Sequence, residues 1–143
     1  MKRAFILLLT VAFVVSNTIG VTASVDRTIK IMVKNEVFCF GEQPLIVRDG
    51  RLLVPLQSGI FEKFSAVTDY DHIYKEIVVR TETHLLTMYM NQPFILNKGE
   101  LYGEPDICPE YINGFVYVPL RVFMEALGQT VEYVSETHTA VIT

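Results

Sequence analysis

Alternating apolar and polar positions after residue 24 predict a chain built mainly of short β-strands. The dipeptides Asp49-Gly50 and Asn113-Gly114 each separate two such runs. Both central residues of a type I′ turn need positive φ, which Asx-Gly pairs adopt readily, so each dipeptide predicts a β-hairpin. The predicted hairpins pair residues 45–48 with 51–54 and residues 111–112 with 115–118.

A short helix of about two turns is predicted after the second hairpin. Pro119 can stand in its first turn, where the missing N–H costs nothing, and Gly128 can end it in the left-handed conformation. The first hairpin is followed by apolar residues at 60, 61 and 64, which predict a second short helix, although Ser65 replaces the terminating glycine. The apolar face of the later helix is predicted at Val122, Phe123, Ala126 and Leu127, with Arg121 and Glu125 one turn apart on another face.

The remaining apolar runs predict further strands. Ile29, Ile31 and Val33 alternate with polar neighbours, as in a strand with one buried face. Polar residues between the later runs supply the turns. These strands are predicted at 28–33, 66–70, 76–80, 84–90, 130–134 and 139–142.

The two hairpins belong to an internal repeat. Residues 49–56 and 113–120 each contain an Asx-Gly turn, three residues and then Val-Pro-Leu, and Tyr70 falls on Tyr133 when the copies are aligned. We predict an α+β fold, mostly antiparallel sheet with two short helices, in which two hairpin/helix/hairpin copies at about 28–80 and 84–143 share one core. The residues predicted to carry the structural motif are Gly50, Val54, Pro55, Leu56, Gly114, Val118, Pro119, Leu120, Arg121 and Gly128.

The N-terminus has the pattern of a secretory signal peptide. Lys2 and Arg3 precede twelve uncharged residues, and a polar break follows at 16–18. Small residues favour cleavage after Ala23, with Gly20 and Ser24 as alternatives, so we expect a signal peptide over 1–23 and a mature domain over 24–143. An uncleaved anchor is disfavoured because a bilayer needs roughly 20 apolar residues.

Charge and motif content exclude several functions. The net charge is −4 with dispersed Lys and Arg, which gives no reason to expect nucleic acid as a partner. No phosphate loop, HExxH or Gly-x-Ser-x-Gly sequence is present, and we expect no catalytic residues, cofactor or metal. In an oxidising compartment Cys39 and Cys108 could form a disulfide, or Cys39 could be a small apolar strand residue with a free thiol.

Residues 112–133, which contain Asn113-Gly114, the Val118–Arg121 motif and Ala126-Leu127-Gly128, resemble the copper amine oxidase-like N-terminal domain. This domain, also called the stalk domain, occurs in secreted proteins of Gram-positive bacteria. The resemblance covers about residues 28–143 and is stronger in the second copy, because Gln57 replaces Arg and Ser65 replaces Gly in the first. Tyr70 and Tyr133 also stand where the family commonly has Trp.

The resemblance implies a non-catalytic module that spaces, displays or adheres, without bound copper. In the oxidases a separate domain holds the topaquinone and the copper-binding histidines. Asp69-Tyr70-Asp71 only approximates the topaquinone sequence, and His72, His84 and His138 show no His-x-His spacing, so surface or strand-end histidines are the favoured interpretation.

We therefore expect a secreted or cell-surface structural or binding module. Its partner would be a protein or a cell-wall polysaccharide, with no nucleic acid and no membrane attachment after signal cleavage. One alternative is an inhibitor or regulator of an extracellular enzyme. Another is a small hydrolase that uses an acidic pair, with Asp69, Asp71 and Glu132 as its candidate residues.

Overall fold

A computed structural model describes residues 28–143 as three β-sheets, one α-helix and one 3-10 turn. The predicted signal peptide lies outside the described residues. The single helix α1 spans Leu120–Ala126 and the 3-10 turn spans Phe61–Phe64. The strands are β1 (Lys30–Val33), β2 (Glu36–Phe38), β3 (Ile46–Arg48), β4 (Arg51–Pro55), β5 (Val67–Asp71), β6 (Glu76–Arg80), β7 (Leu85–Tyr89), β8 (Ile95–Asn97), β9 (Glu100–Gly103), β10 (Glu110–Ile112), β11 (Phe115–Pro119), β12 (Val131–Val134) and β13 (Thr139–Ile142).

The central sheet contains both predicted hairpins, in the order β10-β11-β4-β3. Asp49 and Gly50 have φ of 50° and 74°, and Asn113 and Gly114 have 50° and 87°, which confirms the two left-handed turns. The hairpins meet through antiparallel pairing of β4 with β11. Their register sets Val54 against Val118, with Leu53 against Pro119 and Pro55 against Tyr117.

The second sheet joins the two ends of the described chain, in the order β12-β13-β1-β2. β1 pairs in parallel with β13, and every other strand pairing in residues 28–143 is antiparallel. The strand predicted at 28–33 is confirmed as β1, and the pairing of 130–134 with 139–142 is confirmed as β12 with β13. The sheet is therefore completed only when both termini of the domain are present.

The third sheet is a five-stranded meander, β5-β6-β7-β8-β9. Its β5 and β6 pair as predicted, and β7 corresponds to the strand predicted at 84–90. Strands β2, β8 and β9 were not predicted from the sequence, and they have only three or four residues each. β2 follows a tight turn at Lys34-Asn35, and β8 and β9 flank another at Lys98-Gly99; all four turn residues have positive φ.

The helix begins and ends close to its predicted limits. Pro119, at φ −63° and ψ 118°, stands just before the first helical residue instead of within the first turn. At the other end the Gly128 N–H donates to the Glu125 carbonyl at 3.0 Å and the Gln129 N–H to the Met124 carbonyl at 2.9 Å. This pattern is a Schellman motif, with Gly128 in the left-handed position at φ +84°.

The prediction of a second short helix was wrong in its extent. Only the 3-10 turn forms after β4. Gly59 has φ +81°, which prevents a helix from starting earlier. The turn nevertheless ends like α1. Ser65 has φ 58°, its N–H donates to the Glu62 carbonyl at 3.0 Å, and the Ala66 N–H donates to the Phe61 carbonyl at 3.1 Å.

Both halves of the chain contribute to one main hydrophobic core. Phe61 after the first hairpin and Phe123 in α1 are fully buried, and their rings meet edge to face with centroids 5.8 Å apart. The other face of the central sheet has its own small cluster of Leu53, Ile107 and Tyr117. The main core also buries Ile31, Val33, Val54, Leu56, Ile60, Ile77, Val79, Leu86, Met88, Ile95, Val118, Leu120, Met124, Val131, Ala140 and Ile142.

Candidate functional site

The repeated motif residues have mainly structural positions. Val54, Leu56, Val118 and Leu120 are buried in the main core. Pro55 and Pro119 close the two central strands, and Gly50, Gly114 and Gly128 have positive φ. Arg121 differs because it is exposed, with its Nη1 3.5 Å from the Glu125 carboxylate one turn along α1.

A cleft of about 780 Å³ brings motif residues from the two halves of the chain together. The β3–β4 turn contributes Gly50 and Arg51, and the start of α1 contributes Leu120 and Arg121. Strands β9, β12 and β13 and the loop before β10 complete its walls. Its volume lies in the range of about 300–1,000 Å³ usual for ligand clefts.

The floor of the cleft is apolar and its rim is polar. Leu120, Val131 and Ala140 on the floor are buried, and they come from α1 and from both strands of the β12–β13 pair. The rim includes Arg51, Arg121, Asp106, Glu104 and Glu125. A few polar groups around an apolar surface are typical of a site that orients a small ligand.

One wall of the cleft is a loop, residues 104–109, which we call the strap. Arg51 binds Asp106 in the strap through two parallel contacts, Nε to Oδ1 at 3.0 Å and Nη2 to Oδ2 at 2.6 Å. Arg48, at the other side of the same turn, lies 3.0 Å from the Glu110 carboxylate just after the strap. The two arginines of one β-turn therefore hold the strap at Asp106 and the start of β10 at Glu110.

The Arg51–Asp106 pair also shifts the titration of both groups. The hydrogen bonds from Arg51 lower the pKa of Asp106 below its ordinary value of 3.8. The same bonds raise the pKa of Arg51. Both side chains are therefore charged at neutral pH, and each neutralises the other inside the cleft.

Two tyrosines from different sheets stand at the cleft. Tyr102 on β9 is 48% exposed and Tyr133 on β12 is 46% exposed. The Tyr133 hydroxyl lies 2.9 Å from His138 Nδ1, which fixes the direction of its ring. Large, half-exposed aromatic rings beside an apolar floor are surfaces on which a ligand can stack.

Residues 32–142 match the copper amine oxidase N-terminal domain. The chain belongs to this family. Neither the curated proteins nor the solved structures that were compared match the chain. The copper amine oxidase N-terminal domain is a non-catalytic part of copper amine oxidases, so the family points to a module.

The three histidines of this copper amine oxidase N-terminal domain lie apart. His84, beside β7, contacts the hydroxyls of Thr81 and Thr83, His138 contacts Tyr133, and His72 is exposed after β5. Within residues 28–143, no three His, Cys, Asp or Glu side chains gather closely enough to hold a metal ion. The described residues therefore do not fit a copper centre.

The acidic residues considered for hydrolysis are not brought into the cleft. Asp69 accepts a hydrogen bond from the Tyr70 N–H, and Asp71 accepts from the N–H groups of Ile73 and Tyr74 at 2.8 and 3.1 Å. Asp71 thus stabilises the turn after β5. Glu132 lies on β12 in a different sheet from both aspartates.

Cys39 and Cys108 are free thiols in the structure. Cys39 is exposed after β2, whereas Cys108 is half-buried in the strap between the buried residues Ile107 and Pro109. No helix in residues 28–143 is long and apolar enough to span a membrane.

The cleft was not predicted from the sequence. Arg51 and Asp106 are 55 residues apart in the sequence, and nothing local to either one indicates the pairing. Tyr102 and Tyr133 were two among seven tyrosines. The one available signal was the charge of Arg121 directly after the apolar Val118-Pro119-Leu120 motif, which marks Arg121 as a surface residue.

Proposed function

We propose that this chain is exported and acts outside the cell as a non-catalytic structural or binding module. Membership of the copper amine oxidase N-terminal domain family carries the proposal, because that domain is a non-catalytic part of the oxidases. The basic and apolar pattern over residues 1–23 supports export. The cleft supports a binding role, with a protein or a cell-wall polysaccharide as partner.

The module consists of two copies of one unit in this proposal. The register of the central sheet supports it, because the corresponding residues Val54 and Val118 face each other and their neighbours exchange symmetrically. The ends of α1 and of the 3-10 turn support it as well. Ser65 and Gly128, which correspond in the sequence, have the same left-handed conformation and the same hydrogen-bond pattern.

Export is tested with the full chain expressed from its own N-terminus in a Gram-positive host. We expect the protein in the medium or on the cell surface, beginning at Ser24. A variant with Leu7, Leu8 and Leu9 replaced by glutamate should stay inside the cell, because the apolar run is interrupted. Retention of the unaltered chain in the cytoplasm, or turnover of an amine by the purified protein, would contradict the proposal.

A second candidate, an inhibitor of an extracellular enzyme, is favoured by one observation. The turn between β5 and β6 exposes Ile73 and Tyr74, each 72% accessible. Asp71 holds this turn through the two backbone hydrogen bonds described above. A projecting apolar tip on a fixed turn is pre-organised to enter the cleft of a partner.

This candidate predicts that the purified protein slows hydrolysis by culture-medium enzymes acting on a fluorogenic peptide or glycan. The double variant Ile73→Ser/Tyr74→Ser should no longer inhibit hydrolysis, because Asp71 still holds the turn but the tip is no longer apolar. A Val67→Ser variant, altered at another exposed apolar position, is the control. Equal inhibition by all three proteins would exclude this tip as the inhibitory element.

A further inference from the structure

We propose that the cleft between the β3–β4 turn, the strap and α1 binds a chain of neutral sugar rings. This proposal rests on the proposed role as a binding module and names its ligand class. Three features of the cleft carry it: the two tyrosines at its walls, the internal neutralisation of its charges, and its open shape with an apolar floor.

The tyrosines suit the apolar faces of pyranose rings. Tyr102 and Tyr133 come from separate sheets, β9 and β12, yet line the same cleft, and each leaves about half of its surface accessible. The contact with His138 orients Tyr133 before any ligand arrives. A sugar ring presents a flat face of C–H groups, which packs on an aromatic ring while its hydroxyls remain free to hydrogen-bond.

The charges of the cleft favour a neutral ligand over an anion. Arg51 is occupied by Asp106 in a two-point contact, and Arg121 lies 3.5 Å from Glu125. A phosphate or carboxylate ligand would have to displace these carboxylates and would also meet Glu104. A hydroxyl can donate to a carboxylate and accept from a guanidinium, so paired charges serve a sugar without being separated.

The cleft is also large and open enough for a chain. A volume of about 780 Å³ exceeds what one small polar molecule fills, and the long wall made by the turn, the strap and α1 leaves the site accessible from solvent. The apolar lining residues that remain accessible, Val47, Leu52 and Val122, would be covered by the apolar parts of the bound rings.

The corresponding positions of the other copy have a different composition. The sequence alignment of the two copies places Phe115 at the position of Arg51 and Gln57 at that of Arg121. Tyr70 corresponds to Tyr133, but its ring lies 6.5 Å from that of Tyr111, which stands where the cleft has Val47. The proposed arginine-lined site is therefore present on one side of the module only, so each chain has one such site.

The test is a titration of the purified protein with cellohexaose and, separately, with N-acetylchitohexaose. The chain has seven Tyr and no Trp, so tyrosine emission is not masked by tryptophan and reports that binding occurs, and amide NMR shifts locate the site. We expect at least one hexamer to shift amides of β9, β12 and the strap. Affinity should change little between about 50 mM and 500 mM salt, because the ligand is uncharged.

Three variants separate stacking from structure. Tyr102→Ala should weaken binding roughly five- to tenfold, and Tyr102→Phe should keep it, because the ring and not the hydroxyl makes the contact. Tyr111→Ala removes a more exposed tyrosine outside the cleft and should leave affinity unchanged. Thermal melting checks that all three variants remain folded.

The proposal is overturned if neither hexamer binds, if the shifted amides lie elsewhere, or if Tyr111→Ala has the same effect as Tyr102→Ala. It is also overturned if hexagalacturonate or an acidic peptide binds the cleft instead, with affinity that falls steeply with salt. A protein that is exported but binds no sugar would refute this inference alone. Retention inside the cell would refute the proposed function whatever the titrations show.

Discussion

Replacement of Phe123 by alanine tests whether the two halves of the chain share a core. Phe123 is fully buried in α1, and its ring packs edge to face on Phe61 of the other half. Loss of a buried phenylalanine costs about 3–5 kcal/mol, from lost burial and the cavity left behind. A domain of this size is stable by about 5–15 kcal/mol, so the variant should lose a large part of its free energy of unfolding.

The assay is urea unfolding followed by tyrosine fluorescence and circular dichroism, with hydrogen exchange of individual amides. In a shared core the amides of Ile77 and Val79, on β6 of the first half, should lose protection by the same 3–5 kcal/mol, because they open through global unfolding. Phe115→Ala is the control, since Phe115 is 42% exposed and should cost less than about 1 kcal/mol. Unchanged protection of β6 in Phe123→Ala, or two separate transitions, would refute the shared core.

Three further changes have definite expected outcomes. Ser65→Gly should raise the free energy of unfolding by about 0.5–1 kcal/mol and Gly128→Ala should lower it by a similar amount, because both sites are left-handed. Urea melts measure both changes, and a change in the same direction for the two variants would contradict this. Tyr117→Phe should cost about 1 kcal/mol in the same melts, since its hydroxyl donates at 2.9 Å to a carbonyl; a neutral result would mean that the bond contributes nothing net. Because Asp106 has a lowered pKa when folded, its stabilising effect is present above pH 3.8 and is lost as the pH falls through the lower folded value. Carboxyl NMR should show this midpoint below 3.8, and Arg51→Gln should raise it; an unmoved midpoint would contradict the pairing.

Local sequence signals predicted the parts of the fold that depend on local conformation. Asp49-Gly50 and Asn113-Gly114 predicted both central hairpins, because few residue pairs other than Asx-Gly suit their turns. Gly128 predicted the end of α1 for the same reason. The turn at Lys98-Gly99 gave a weaker signal, since its first residue is not one that favours positive φ, and the strands on either side of it were missed.

Long-range arrangements could not be predicted in this way. The parallel pairing of β1 with β13 joins segments from opposite ends of the domain, and no local pattern specifies it. The helix predicted after β4 is limited to a 3-10 turn because Gly59 and Ser65, both left-handed, leave only five residues between them. The strap contact between Arg51 and Asp106 depends on the path of the third sheet, which returns the chain to the central hairpin.

The most direct test of the proposed arrangement, in which the two halves of the chain meet edge to edge, is the register between β4 and β11 in solution. Nuclear Overhauser contacts across β4 and β11 should join Leu53 with Pro119 and Pro55 with Tyr117, symmetrically about Val54 and Val118. These contacts would show that corresponding residues of the two halves meet in one sheet. A different register, or hairpins that make no contact across these strands, would contradict it.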